Sequence, residues 1–288
     1  MPELTLALGH PISPIVLSAN GPTFQFDLQF FLQFVFQPTA ALLSGLFLTV
    51  YVSVFAQAFG TAIGVVSAMA GMSRRWLFRR TNAAYIWFFR GTPLLVQIFV
   101  LYYGTPYLLG GIDLFPSDID AGPFLLHGNV FAGLAALAIN EGAYMSEIVR
   151  AGILSVDPGQ TEAAKSVGMT SGMTMRRIVL PQAVRVIIPP LGNEFNSMIK
   201  ATALLSTIAV TDLFRVAQGV NSSTFKSFEA YFGIALYYLL LTTVWGRIQE
   251  RIERRFAIGG RRGPTRGWVG RLMRADPTVA EVLERGGR

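Results

Sequence analysis

Long apolar runs separated by short polar segments dominate the pattern of this chain. No charged residue occurs between Asp27 and Arg74, and none occurs between Arg90 and Asp113. A helix needs about 20 apolar residues to cross the hydrocarbon core of a bilayer. The pattern therefore predicts an all-α polytopic membrane protein with about five transmembrane helices, at residues 41–70, 83–108, 127–149, 186–211 and 229–246.

The composition and the placement of charge support this class of protein. Only 14% of the residues are charged and 52% are hydrophobic, whereas soluble domains carry about 25% charged residues. The net charge of +7 does not indicate nucleic-acid binding, because most basic residues form three clusters, at 74–80, at 150–185 and from Arg247 onward. Since Lys and Arg are retained on the cytoplasmic side, the clusters predict an outside N-terminus and an inside C-terminus.

The same pattern divides the chain into three parts. Residues 1–39 contain no Lys or Arg and are predicted to form an extracytoplasmic or interfacial segment. Within it, the aromatic and glutamine residues of 24–37 fit either a helix on the outer leaflet or an extension of the first span. Residues 40–256 form the predicted transmembrane domain, and 247–256 suit an amphipathic helix against membrane lipids. Residues 257–288 form a basic cytoplasmic tail that we expect to be flexible.

The loop between the third and fourth predicted spans has the signature of a compact helical unit. Asp157 is a suitable N-cap, Pro158 suits the first helical turn, and Gly168 is placed to end the helix in a left-handed conformation. A second short helix is predicted over residues 170–179, and Pro181 should stop it. On physical grounds alone, this unit is either an ordinary amphipathic loop or a knob that passes the motion of a partner to the spans.

The residues of this loop resemble the coupling motif of ABC importer permeases, with the same identities and both gaps. They are Glu162, Ala163, Ala164, Gly168, Ile178, Leu180 and Pro181. The stretches 90–97, 148–153 and 180–195 are similar to the polar amino-acid branch of that family, which transports histidine, glutamine, arginine and opines. The resemblance covers roughly residues 40–256 and implies a type I importer permease fold.

By this resemblance, two such subunits, identical or different, line a translocation path across the inner membrane. A dimer of ABC ATPase subunits, which carries the ATP and Mg²⁺, engages the motif from inside. An extracytoplasmic solute-binding protein delivers a polar amino acid from outside. No cofactor, metal site or catalytic residue is expected on this chain itself. The Gly-Lys dipeptide of a phosphate-binding loop occurs nowhere in the sequence, so ATP hydrolysis is expected on the partner.

Polar and ionisable residues within the predicted spans are candidates for the substrate path, because charges at bilayer depth usually face a cavity or a partner. The candidates are Glu141, Asn193, Glu194, Ser197, Lys200 and Arg90. Each could instead pair structurally, and Arg90 could extend to the inner interface. One departure from the family bears on substrate choice: Ala201 follows Lys200, where the family often has an acidic residue.

Further expectations concern helix geometry. Residues 90–93 are predicted to interrupt the second span, and Pro93, Pro189 and Pro190 to break or kink their helices. At the inside end of the third span, Glu147 and Arg150 are expected to form a salt bridge. Small residues of the first span should allow neighbouring helices to approach closely; they are Gly45, Gly60 and Gly64.

Other functions fit parts of this pattern. A permease for another small solute, such as an opine or an osmolyte, would share the coupling loop. An integral membrane enzyme could use Glu141 and Glu194 but would need no coupling helix. An ion-driven secondary transporter commonly shows two related halves, and we find no internal repeat in the sequence. The sequence therefore predicts an ATP-driven importer of polar amino acids that works by alternating access.

Overall fold

A computed structural model describes residues 26–112, 114–116, 119–121 and 124–256. The helices are α1 Leu28–Phe36, α2 Ala40–Gly71, α3 Trp76–Gly91, α4 Leu94–Phe99, α5 Thr105–Leu108, α6 Gly128–Leu154, α7 Pro158–Ser166, α8 Ser171–Thr174, α9 Leu180–Ala201, α10 Leu213–Thr224 and α11 Ser227–Phe256. Two π-helical segments, Val100–Gly104 and Met175–Val179, and the 3₁₀ segment Thr202–Ile208 adjoin them. The predicted helical fold is confirmed, and the predicted tail 257–288 lies outside the described residues.

A short antiparallel ribbon adds to the helices. Strand β1, Ile119–Ala121, pairs with strand β2, Phe124–Leu126, with Ile119 opposite Leu126. The apolar pattern did not predict this ribbon. The described residues divide into two compact units, one formed by 26–150 with 193–246, the other by 151–192 with 247–256.

Within the described residues, α2 and α11 are long and apolar enough to cross a membrane. Up to four spans result if α3 with α4–α5, and residues 171–208 with α10, each form one bent span. Helix α6 covers the third predicted span but is not among these candidates, because Asn129, Asn140, Glu141 and Glu147 lower its apolarity. The count of five spans and the orientation of the termini therefore remain predictions.

The second predicted span is interrupted where expected. Helix α3 ends at Gly91, α4 begins at Leu94, and the two helical parts are bent by 106°. Pro93 lies at this break as the residue before α4. Pro189 and Pro190 do not break their helix, because both lie inside the continuous helix α9; a kink there stays a prediction. Helices at membrane depth tolerate internal prolines when neighbouring groups satisfy the backbone.

Helix α1 is a separate element held against α11, so the alternative of an extended first span is wrong. Residues 37–39 separate it from α2. The Lys226 ammonium lies 2.6 Å from Oδ2 of Asp27 and 4.3 Å from the Phe30 ring centroid. The backbone N–H of Asp27 donates to Oε1 of Glu229 at 2.7 Å. The hydrogen bonds from Lys226 and from the Phe30 N–H hold the pKa of Asp27 below its usual value.

Glycines on α2 permit very close helix packing, as predicted. A Cβ on Gly60 would lie 2.6 Å from Cβ of Glu141 in α6. A Cβ on Gly64 would lie 2.9 Å from the carbonyl carbon of Met145. At the other end of α2, a Cβ on Gly45 would lie 3.1 Å from the backbone of Asp212. Helix α2 therefore contacts α6 and the start of α10 almost backbone to backbone.

Helix α6 is surrounded by protein along most of its length. Its alanines at 132, 136, 138 and 143 and its Leu137 are at most 3% exposed. They belong to or adjoin a core that α2, α4 and the 3₁₀ segment complete with Val52, Ala56, Ile98, Leu205 and Ile208. Because Asn140, Glu141 and Glu147 lie against other helices, this helix need not be apolar throughout.

The space around each glycine predicts opposite effects for two Gly→Ala substitutions, one in α2 and one in α10. Gly64→Ala introduces a methyl group that the Met145 backbone cannot avoid, and we expect a loss of about 1–3 kcal/mol in the free energy of unfolding. Gly219 in α10 has open space around its Cβ position, and Gly219→Ala should stabilise its helix by about 0.5–1 kcal/mol. Thermal unfolding in detergent measures both. A Gly64→Ala protein that unfolds at the wild-type temperature would contradict the close packing.

Candidate functional site

A cavity of about 310 Å³ lies beside the break between α3 and α4. It is formed by the break itself and by helices α6 and α9. The residues that line it are Thr92, Leu94, Leu137, Asn140, Glu141, Tyr144, Glu194, Ser197, Met198 and Ala201. Most of the polar side chains face it from two helices, so the cavity combines two carboxylates with amide and hydroxyl groups in an otherwise apolar part of the protein.

The carboxylate of Glu141 is the most buried charged group of this cavity. Glu141 is only 5% exposed, and its Oε1 accepts a hydrogen bond of 2.8 Å from Nε2 of Gln57 in α2. Oε1 of Gln57 is itself buried without a hydrogen-bond partner among the described residues. Glu194 is half-buried on α9. Within the described ranges, no group of three or more His, Cys, Asp or Glu residues could hold a metal ion.

The predicted path residues are not all brought together. Glu141, Glu194 and Ser197 line the cavity, whereas Asn193 and Lys200 are exposed and are not among its lining residues. Arg90 lies at the end of α3, with its guanidinium carbon 5.1 Å from the ring centroid of Tyr144. These positions make the two carboxylates and the serine the stronger candidates for substrate contact.

The expected pairing of Glu147 with Arg150 is wrong. The carboxylate of Glu147 pairs with the guanidinium of Arg90. The reason is tertiary: α3 ends at the break, and its last turn places Arg90 against α6. Arg150, one turn further along α6, is exposed and makes no ion pair or hydrogen bond with the residues that the structure describes.

Two uncharged residues that the sequence analysis did not single out hold the break in place. Nε2 of Gln97 lies 2.9 Å from the carbonyl oxygen of Phe89 and 3.1 Å from that of Thr92. Nδ2 of Asn140 donates to the same Phe89 carbonyl at 3.0 Å and to Oε1 of Gln97 at 2.9 Å. Helix α3 ends there, so these carbonyls lack helical partners. The sequence signal that could have identified Gln97 is an amide side chain within an otherwise apolar run.

The helix predicted after Asp157 is confirmed as α7 with both of its caps, and its coupling role stays a prediction. Oδ1 of Asp157 accepts from the backbone N–H of Gly159 at 2.7 Å. At the other end Gly168 has φ +83°, a left-handed conformation. The N–H of Gly168 donates to Lys165 at 2.9 Å, and that of Met169 donates to Ala164 at 3.0 Å. This pair of bonds is the Schellman arrangement that satisfies the last carbonyls of a helix.

Pro181 does not stop the second short helix. Helix α8 begins after the N-cap Thr170, continues into the π-helical segment Met175–Val179, and passes directly into α9. The missing N–H of Pro181 falls in the first turn after this segment, where the wider π-helical turn accommodates it.

The motif residues divide into an inward and an outward set. Ala164 is 6% exposed, and Thr174 and Val179 are also buried, in the two segments that α7 contacts, so the small side chain of Ala164 serves internal packing. Glu162, Ala163 and Pro181 are exposed, as is Leu180. Ile178 is half-buried. The outward set offers a carboxylate and small apolar side chains on one compact helical unit.

The chain is similar to known transport proteins. Residues 60–258 match the family described as "Binding-protein-dependent transport system inner membrane component". A relative from Vibrio harveyi, "Probable amino-acid ABC transporter permease protein PatM", is 44% identical over 57% of this chain and 69% of its own length. "L-cystine transport system permease protein TcyB" of Bacillus subtilis is 40% identical over 66% of this chain and 76% of its own length.

A solved structure extends the similarity to the fold. The crystal structure of an amino acid ABC transporter with histidines matches with a TM-score of 0.69 and 38% identity. The match covers 80% of this chain and 99% of that chain.

The amide network at the break predicts the effect of removing one member. Gln97→Leu leaves the Phe89 carbonyl with Asn140 as a donor, but it removes the side-chain donor to the Thr92 carbonyl. An unsatisfied buried carbonyl costs about 1–3 kcal/mol, and thermal unfolding should show a loss of that size. Gln218→Leu is the matched control, because the side chain of Gln218 accepts one exposed hydrogen bond, from Arg215. Equal unfolding temperatures for the two variants would show that the network does not support the break.

Proposed function

The chain belongs to the family of binding-protein-dependent transport system inner membrane components, and we propose that it is the membrane-spanning subunit of an ATP-driven importer of polar amino acids. The observation that carries this proposal is the cavity with Glu141 and Glu194 beside the broken helix. Its volume of about 310 Å³ lies at the lower end of the range for small-molecule sites. The relatives that bear amino-acid and L-cystine names support the substrate class.

The chemistry of the cavity suits a zwitterion. The carboxylates of Glu141 and Glu194 can accept hydrogen bonds from an ammonium group, and such charge-assisted bonds are about twice as strong as neutral ones. Tyr144 and Ser197 carry hydroxyl donors that can approach a carboxylate. Because ionisable residues at membrane depth are costly, their concentration around one cavity favours a transport role for them.

The helical unit formed by α7, α8 and Met175–Val179 has features of a surface on which an ATPase could dock. Besides exposed Glu162 and Ala163, the unit exposes apolar side chains at Val167 (78%) and Met173 (40%). Apolar side chains around a charged residue are typical of a protein-binding site. By sequence, the unit follows α6 directly and leads directly into α9. Movement of a docked ATPase would therefore be passed to two helices that also line the cavity.

The proposed mechanism is alternating access. A dimer of partner ATPases, which binds the ATP and Mg²⁺, draws together two permease subunits, identical or different. An extracytoplasmic binding protein delivers the amino acid when the cavity opens outward, and hydrolysis restores the inward-open state. Because a ligand shifts such an equilibrium only through different affinities for the two states, the binding protein must prefer one of them.

Removal of the cavity charges should impair transport without unfolding the protein. Glu141→Gln keeps the shape of the side chain, and its new amide can donate to the unpartnered Oε1 of Gln57. We therefore expect wild-type thermal stability but a loss of uptake of at least tenfold in Glu141→Gln with Glu194→Gln. ATP-driven uptake of radiolabelled amino acids into proteoliposomes measures this loss. Glu250→Gln, an exposed carboxylate outside the cavity, is the control, and wild-type uptake by the double variant would refute the assigned path.

Charge reversal on the coupling helix should remove the ATPase. Glu162→Arg changes an exposed side chain, so the fold should persist while the partner is lost. Tagged wild-type chain and the variant would be purified from mild detergent, and co-eluting proteins identified. Glu250→Arg provides an equally exposed reversal outside the motif. If no ATPase co-purifies with wild type in several detergents, the importer proposal fails and an intramembrane enzyme becomes the better hypothesis.

A further inference from the structure

A second cavity, of about 340 Å³, lies between the end of α2, the first turns of α3 and the last part of α6. Its lining includes Arg79, Asn82, Trp87, Glu147 and Arg150, and it shares no lining residue with the cavity of Glu141. The proposed transport cycle does not use it. We infer that this cavity binds the phosphate of an anionic phospholipid headgroup.

The charge balance of the cavity favours an anion. The acidic residue in its lining, Glu147, is already paired with Arg90. Arg150 has no partner among the described residues. Arg79 donates from Nη1 to the carbonyls of Ser73 and Arg74, at 3.0 and 2.8 Å, and these bonds leave Nε and Nη2 free. Two guanidinium groups can therefore donate to one phosphate, which they suit by geometry and charge.

The side-chain amide of Asn82, which lines the cavity, adds a further donor. Asn82 is 9% exposed. Its Oδ1 accepts from the hydroxyls of Ser67 and, at 3.5 Å, Ser146. These bonds fix the amide so that Nδ2 is the remaining donor, and Nδ2 has no acceptor within the described part of the chain. Nδ2 is not among the side-chain atoms that are buried without a partner, so it is accessible from the cavity that Asn82 lines and can donate to a bound phosphate oxygen.

The surroundings of the cavity identify the source of the phosphate as a lipid. Trp87, which lines the cavity, is 77% exposed, and Trp76 at the start of α3 is 61% exposed. The Arg80 guanidinium lies 5.2 Å from the Trp76 ring centroid. Exposed tryptophans beside arginines are typical of the membrane interface, and basic pockets between membrane helices bind anionic headgroups. A soluble anion would use the arginines but would not need an apolar rim.

The inference is tested with the full chain purified in neutral detergent. Native mass spectrometry measures the occupancy of added phosphatidylglycerol, at an ionic strength where the Debye length is about 8 Å, so that loose surface attraction is largely screened. We expect saturable binding of one lipid. Binding should be at least about tenfold weaker in Arg79→Gln with Arg150→Gln, because charge-assisted hydrogen bonds to the phosphate are lost.

Matched control variants distinguish lipid binding in this cavity from a general attraction of anionic lipid to the basic surface. Arg74→Gln with Arg80→Gln removes the same charge from the same region outside the cavity, and it should weaken binding by less than about threefold. Arg150→Gln alone removes no hydrogen bond within the described protein, so it should fold normally and still weaken lipid binding. Equal losses in both double variants would overturn the inference. So would thermal protection by inorganic phosphate that phosphatidylglycerol does not exceed, because the source would then be a soluble anion.

Discussion

Backbone carbonyls freed inside a bilayer have no water to bind, and the break between α3 and α4 is built around this constraint. A chain that bends by 106° between Gly91 and Leu94 loses the helical partners of its last carbonyls. Gln97 and Asn140 supply the donors for Phe89 and Thr92. Because Asn140 also lines the adjacent cavity, the side chain that stabilises the break is part of the site that the break opens.

The burial of α6 follows from the same arrangement. A helix with Asn140, Glu141 and Glu147 cannot face lipid along its whole length. Glycines on α2 let it approach so closely that Gln57 can reach Glu141, while the end of α3 provides Arg90 for Glu147. Asn140, Glu141 and Glu147 thus each meet a neighbour from another helix. The cost of placing polar groups in the membrane determines which helices surround α6.

Features that depend on local rules could be predicted from the sequence. Apolar runs gave most of the long helices, and Asp157 with Gly168 gave both ends of α7, because capping involves residues a few positions apart. Features that depend on tertiary contacts could not. The partner of Glu147 was predicted wrongly because Arg90 is 57 positions away in sequence and becomes its neighbour only through the break. The continuation of the helix past Pro181 depends on a π-helical turn, for which the sequence has no clear local signal.

The carboxylate of Glu141 is difficult to explain by stability alone. Its buried oxygen accepts one hydrogen bond from a neutral amide, which offsets little of the cost of removing a charge from water. A glutamine at position 141 would have nearly the same side-chain volume. It could also donate a hydrogen bond to Oε1 of Gln57, which is buried without a partner among the described residues. A neutral side chain would therefore suit the fold at least as well. The proposed substrate path would give this carboxylate a role, because a ligand with an ammonium group could pair with it.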